Sequence, residues 1–170
     1  WIVPTAGVLP ALTHAVQALT REGEGVIIQP PVYYPFKNII QKNKRKVVEN
    51  PLKLDEQTLT YQIDFEDFEG KVKDPNNKLF ILCNPHNPIG RVWGKEDLLR
   101  LGKLCLANGV TVFADEIHSD IIFKGFKHTP LGMLDNSINQ NTITAYSASK
   151  TFNLAGLQTA AIIIPNKEIR

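Results

Sequence analysis

The chain has 170 residues, close to the size of one domain, and is long enough to bury a core without disulfide or metal staples. At 43% hydrophobic and 21% charged residues it is not a disordered chain, and a formal net charge of +2, from 19 Lys and Arg against 17 Asp and Glu, excludes a basic nucleic-acid footprint over the whole molecule. Cys83 and Cys105 are too few for a disulfide framework and suit a reducing, cytoplasmic setting; no apolar run approaches the roughly 20 residues of a membrane span, and the opening residues do not read as a secretory leader.

The chain opens at Trp1 in an apolar run and stops at Arg170 just after another, so it is expected to be a piece of something longer. After the run over 1–3 comes a turn over 4–7. Residues 9–19 then have helical spacing, with Leu9, Leu12, Val16 and Leu19 on one face. A polar break over 21–25 precedes a buried strand over 26–29, ended by Pro30-Pro31. A helix over 34–42 would turn Phe36, Ile39 and Ile40 inward, and Val47-Val48 makes a brief strand. Residues 50–62 read as polar and irregular. Asp64 is a natural N-cap for a helix over 63–72 with Phe65 and Phe68 buried. A strand over 79–83, a loop dense in Asn and Pro over 84–90, and a helix over 95–108 closed by Gly109 follow. The pattern predicts strands over 110–114, 142–146 and 160–164, and a short extended piece over 121–123. Strands alternating with helices imply a three-layer α/β/α sandwich on a mostly parallel sheet, with no repeat and no internal linker.

Ligands of open α/β sheets bind beyond the carboxyl ends of the strands, so the residues that follow each apolar run carry the interest. Asp115 ends the strand Phe113-Ala114-Asp115 and needs a cation or several donors if buried; alone, it reads equally well as a turn cap. Lys150 follows a strand by a few small residues and precedes an apolar stretch. A lysine there loses water and becomes a nucleophile toward carbonyls, although a surface lysine is the commoner fate. Ser147 and Ser149 beside it can donate to an anion. Gly7 and Val8 open a helix whose amides suit phosphate, a weak signal by itself. The run Asn84-Pro85-His86-Asn87-Pro88 is a rigid loop that could aim an amide at a ligand or serve only as a turn.

These elements occur together and in order: NPHNPIGR from Asn84, ADEIH from Ala114 and SASKTFNLAGL from Ser147. The set resembles the large domain of the fold-type I pyridoxal 5′-phosphate (PLP) enzymes, the aspartate aminotransferase superfamily, over essentially the whole of residues 1–170. The resemblance implies that Lys150 carries the cofactor covalently and moves the α-proton, and that Asp115 pairs with the pyridine nitrogen. It further implies that Asn87 bonds the phenolic oxygen, that Tyr33 stacks on the ring, and that Gly7, Val8 and Ser147 hold the phosphate. An electron-sink cofactor explains these types: the acid keeps the ring nitrogen protonated, only an amine can attach the aldehyde, and an aromatic face holds the ring flat.

Two departures from common aminotransferases stand out. His118 occupies the position of a tyrosine that faces the phenolic oxygen, and Gln158 that of a phosphate-binding arginine. Both are similar to the cystathionine β-lyase-like branch. That branch implies cleavage of a carbon–sulfur bond in cystathionine or cysteine S-conjugates to a thiol, pyruvate and ammonia. An aminotransferase is the runner-up, and a non-catalytic sensing domain of a transcription regulator is the alternative from another class. The resemblance also implies a homodimer in the full-length protein, an amino-acid substrate, a missing N-terminal arm, and a C-terminal small domain that supplies the arginine for the substrate carboxylate. No metal site, nucleic acid or membrane is expected. His14 reads as solvent-facing or structural, His128 as a surface residue, and His86 as shaping its loop. Lys42, Lys44, Arg45 and Lys46 read as a solvated face, and both cysteines as buried small hydrophobes.

Overall fold

The computed structural model describes residues 1–170. In chain order it contains β1 (Ile2–Thr5), α1 (Val8–Leu19), β2 (Gly25–Ile28), α2 (Pro35–Lys42), β3 (Lys46–Glu49), β4 (Lys53–Asp55), β5 (Thr60–Gln62), α3 (Phe65–Lys73), β6 (Asn77–Cys83), α4 (Lys95–Ala107), β7 (Thr111–Asp115), α5 (Asn136–Gln140), β8 (Thr142–Tyr146) and β9 (Ala160–Ile163). Seven strands form one sheet in the order β1-β9-β8-β7-β6-β2-β3. The pairs from β8 through to β3 are parallel, and β9 alone runs against its neighbours β8 and β1.

Strand alternation divides the core in two. Leu79, Ile81, Cys83 and Phe113 face α1 and α2, which present Leu12, Val16, Phe36 and Ile40. Phe80, Leu82, Val112 and Ala114 face α3 and α4, which present Phe68, Val72, Leu98 and Leu101, with Ile138 of α5 beside them. The central strand β6 is therefore apolar on both sides, as a strand buried between helical layers must be. This is the expected α/β/α sandwich. In α1, Leu12 and Val16 are buried and Leu9 and Leu19 flank them half-buried. Asp64 caps α3 by accepting from the Asp67 N–H at 3.2 Å. Gly109 follows α4 at φ +66°, a conformation that glycine adopts without strain.

Four expectations need correction. Residues 50–62 are not irregular: β4 and β5 form an antiparallel hairpin, whose turn is fixed by Asp55 Oδ1 accepting from the amides of Gln57 (2.9 Å) and Thr58 (3.1 Å). Residues 121–123 form no strand, because no neighbour offers them a ladder. The short helix α5 and the turn Leu131–Met133 before it appear where no element was expected; Asp135 caps α5 by accepting from the amides of Ser137 and Ile138. Arg45 does not belong to a solvated face. Its guanidinium donates to Thr20 O at 2.6 Å, Thr20 Oγ1 at 2.8 Å and Asn43 O at 2.6 Å, and so satisfies the C-terminal end of α1. No helix is long and apolar enough to cross a membrane.

Candidate active site

Five connections converge at the carboxyl edge of the parallel strands, as the topology requires. They are the β1–α1 turn, the stretch after β2, and the loops after β6, β7 and β8. Together they enclose a cavity of about 450 Å³. Gly7, Val8, Tyr33, Asn87, Asp115, His118, Ser147 and Lys150 all line it.

The β1–α1 turn contributes backbone. Gly7 is the N-cap residue of α1 at φ +108°, a backbone conformation that strains any residue with a side chain, and no side chain caps the helix there. The first amides of α1 thus open toward the cavity with the positive end of the helix dipole behind them. Tyr33, half-buried, is held edge-on against Phe36 with ring centroids 5.7 Å apart.

The loop after β6 is fixed from several directions. Pro85 and Pro88 follow cis peptide bonds. Asn84 is buried, and its Oδ1 accepts from the Trp93 amide at 3.1 Å. His86 is buried, meets the Trp93 ring edge-on at 5.6 Å and lies 3.1 Å from Pro31 O through Nε2. Burial pushes the His86 imidazole down to about 4, so it stays neutral at physiological pH, as a loop-shaping residue should. Asn87 has its amide N–H on Cys83 Sγ at 3.4 Å and its side chain at the cavity wall.

Asp115 is 5% exposed, and its only protein donor is the Ile117 amide at 3.2 Å on Oδ1. Burial raises its carboxyl to about 6. The Ile117 N–H and the charge of Lys150 oppose that rise, and the neighbouring Glu116 adds to it. The parallel register of β6 and β7 sets Cys83 directly beside Asp115. Burial, and then the Asp115 charge, pushes the Cys83 thiol well above its ordinary range, so it is an inert wall. His118 is half-buried, and burial followed by the Lys150 charge holds its imidazole below the usual histidine range.

Lys150 departs from expectation in one respect. It shares the cavity with Asp115, but it is exposed rather than stripped of water. Ser147 differs too. It is buried and donates to Thr159 O at 2.7 Å, and its Oγ also lies 2.9 Å from Ser149 Oγ. With the Ser147 proton on Thr159 O, the Ser149 hydroxyl donates to Ser147 Oγ, so both serines brace the turn at the cavity wall. Thr159 and Cys83, both lining residues, were not anticipated. The register of strand ends identifies Cys83 once β6 and β7 are known to pair. His14 is exposed, the first of its two expected readings, whereas His128 is no surface residue: its side chain is 8% exposed and paired with Glu116. No group of three or more His, Cys, Asp or Glu is placed to hold a metal ion.

The family model for aminotransferase class I and II matches residues 2–170. The chain belongs to this family. It is 55% identical over 161 residues to cystathionine beta-lyase PatB of Bacillus subtilis, covering 95% of this chain and 41% of that protein. To protein MalY of Escherichia coli it is 34% identical over 165 residues, with 95% and 41% covered. Among solved structures it resembles cystalysin of Treponema denticola, which contains a pyridoxal 5′-phosphate cofactor, with a TM-score of 0.97 at 44% identity over 99% of this chain and 42% of that one. It also resembles the PLP-bound C–S lyase of Staphylococcus hominis, with a TM-score of 0.90 at 37% identity over 99% and 42%. The chain therefore spans about two fifths of the length of the curated relatives it matches.

Proposed function

We propose that these residues are the cofactor-binding large domain of a PLP-dependent carbon–sulfur β-lyase. Its substrate would be cystathionine or a related cysteine S-conjugate, and its products a thiol, pyruvate and ammonia. The carrying observation is the meeting of Lys150 and Asp115, thirty-five positions apart, on one cavity beside an uncapped helix N-terminus. The relatives named above support the lyase reading over others in the family. The homodimer, the cytoplasmic setting and the small domain with its substrate-binding arginine belong to the same proposal.

The donor set suits a phosphorylated pyridine. The α1 amides offer donors to a dianion, with the Ser147 and Ser149 hydroxyls beside them on the same wall. Asp115 has acceptor capacity that no protein group fills, and Tyr33 offers an aromatic face. When bound, PLP supplies an electron sink for the pair left at Cα. Lys150 would attach the cofactor, then take the α-proton with its ε-amine once the substrate has displaced it. Asp115 would keep a proton on the pyridine nitrogen, a task helped by a carboxyl poised near 6 within a buried site. Asn87 and His118, which both line the cavity, would donate to the phenolic oxygen. Transamination uses the same residues and differs in where the proton returns. It is the second reading, favoured by 30% identity to a probable kynurenine–oxoglutarate transaminase of Saccharomyces cerevisiae. Incubating the full-length protein with PLP and cystathionine decides between them. Pyruvate and thiol are the expected products, and an oxo acid formed only when an amino acceptor is added would reject the lyase.

A further inference from the structure

Asp115 and Glu116 are consecutive buried acids at the end of β7, and strand alternation sends them to opposite sides of the sheet. Asp115 reaches the cavity on the α1 side. Glu116 points into the layer of Leu131 and does not line the cavity that Asp115 reaches. It is 3% exposed, a burial that a carboxylate tolerates only with firm partners. Its Oε1 accepts from the Leu131 amide at 3.0 Å and its Oε2 lies 3.0 Å from His128 Nε2, which must carry the proton because a carboxylate only accepts. The His128 side chain is itself 8% exposed.

The pair closes a loop. Between Glu116 and Leu131, fifteen residues apart, no helix or strand intervenes. The same loop carries His118 on the cavity wall, and Asp120, whose carboxylate accepts from Tyr146 Oη at 2.7 Å and from Thr151 Oγ1, next to Lys150, at 2.8 Å. At the start of the loop, the Glu116 amide donates to Ala145 O at 2.9 Å and the Ile117 amide to Asp115. A displacement of the loop therefore reaches both the acid and the lysine-bearing turn.

We propose that Glu116 and His128 are positioning residues, whose buried pair ties the two ends of the 117–130 loop and thereby holds Asp115 and His118 at the cavity. The inference rests on the PLP reading and is tested in the full-length protein by three readouts. In the cofactor-free state, His128→Ala is expected to speed amide hydrogen exchange at Ile117 and His118 at least about 10-fold. In the loaded state, the same variant shifts the absorption band of bound PLP. It also lowers kcat for cystathionine about 10- to 100-fold with KM within about 3-fold, the scale of a misplacement near 1 Å. His128→Gln keeps an N–H donor near the place of Nε2 and restores all three. Unchanged exchange and kcat in His128→Ala, or a Gln variant no better than Ala, overturns the inference. Wild-type protein that takes up PLP without forming pyruvate rejects the lyase reading alone, because exchange and absorbance still report the positioning.

Discussion

The two acids at the end of β7 invite direct comparison. Glu116 has a partner on each oxygen at 3.0 Å, and it does not line the cavity that Asp115 faces. Asp115, as deeply buried, has one backbone donor and an open cavity in front of it. A buried carboxylate so poorly satisfied suits the proposed role of holding a ligand, whose arrival would offset the desolvation penalty. A neighbour treated the opposite way shows that the strand end does not impose the deficit.

The largest test falls on the open side. Lys150→Ala is expected to reduce pyruvate release from cystathionine by at least about 10³-fold, through loss of the group that moves the α-proton. A variant within about 10-fold of wild type would remove the chemistry from this cavity. Asp115→Asn, which keeps the shape and loses the charge, should lower kcat about 10²-fold. In cofactor-free protein at pH 7 the same change should raise the thermal midpoint by about 2–4 °C, as relief of a poorly partnered buried charge. Glu116→Gln should lower that midpoint. Equal signs for the two variants would break the comparison.

A pH series sharpens it further. Asp115, raised to about 6, binds a proton more tightly folded than unfolded, so its contribution falls as pH rises from about 4 to 6. His86, lowered to about 4 from 6.5, binds a proton more tightly unfolded, so its contribution rises over nearly the same window. Each effect is roughly 3 kcal/mol by linkage, and the two oppose. Denaturant unfolding of cofactor-free wild type should therefore vary little between pH 4 and 6.5, while Asp115→Asn should gain stability with rising pH. A flat profile in the variant would show that His86 titrates normally. The smallest effect lies far from the site. A Cβ on Gly25 would sit 1.8 Å from Asn77 Oδ1 and 2.8 Å from Val48 Cγ2, and Asn77 is held by its bond to Lys71 O. Gly25→Ala should destabilise by about 1–3 kcal/mol and leave kcat unchanged, checked by urea titration and the pyruvate assay.

Much of this was legible in the chain. Apolar runs of the right period placed the helices and the parallel strands, and the rule for strand ends then selected the residues that line the cavity. What was hidden depended on partners distant in sequence. The reversed direction of β9 is set by its ladder with β1, which no local pattern encodes. The hairpin of β4 and β5 hides in polar residues because its side chains are largely exposed and carry no alternation. The burial of the His128 side chain comes with Glu116, twelve positions away, and the anchoring of Arg45 from the end of α1. The exposure of Lys150 was missed because a lysine among small residues looks enclosed until the walls around it are counted.

The edge of the sheet carries a consequence for how this domain is made. Strand β1 has β9 as its only neighbour, with Ile2 opposite Ile163 and the Ile164 amide on Trp1 O at 2.8 Å. The glycine turn that leads into α1 hangs from β1. As the ribosome extends the chain, β1 waits unpaired until β9 has emerged, and closure of the long loop between them must precede its docking. The turn at Gly7 thus becomes rigid only after β9 has paired with β1, and a nascent chain halted short of β9 would lack that order.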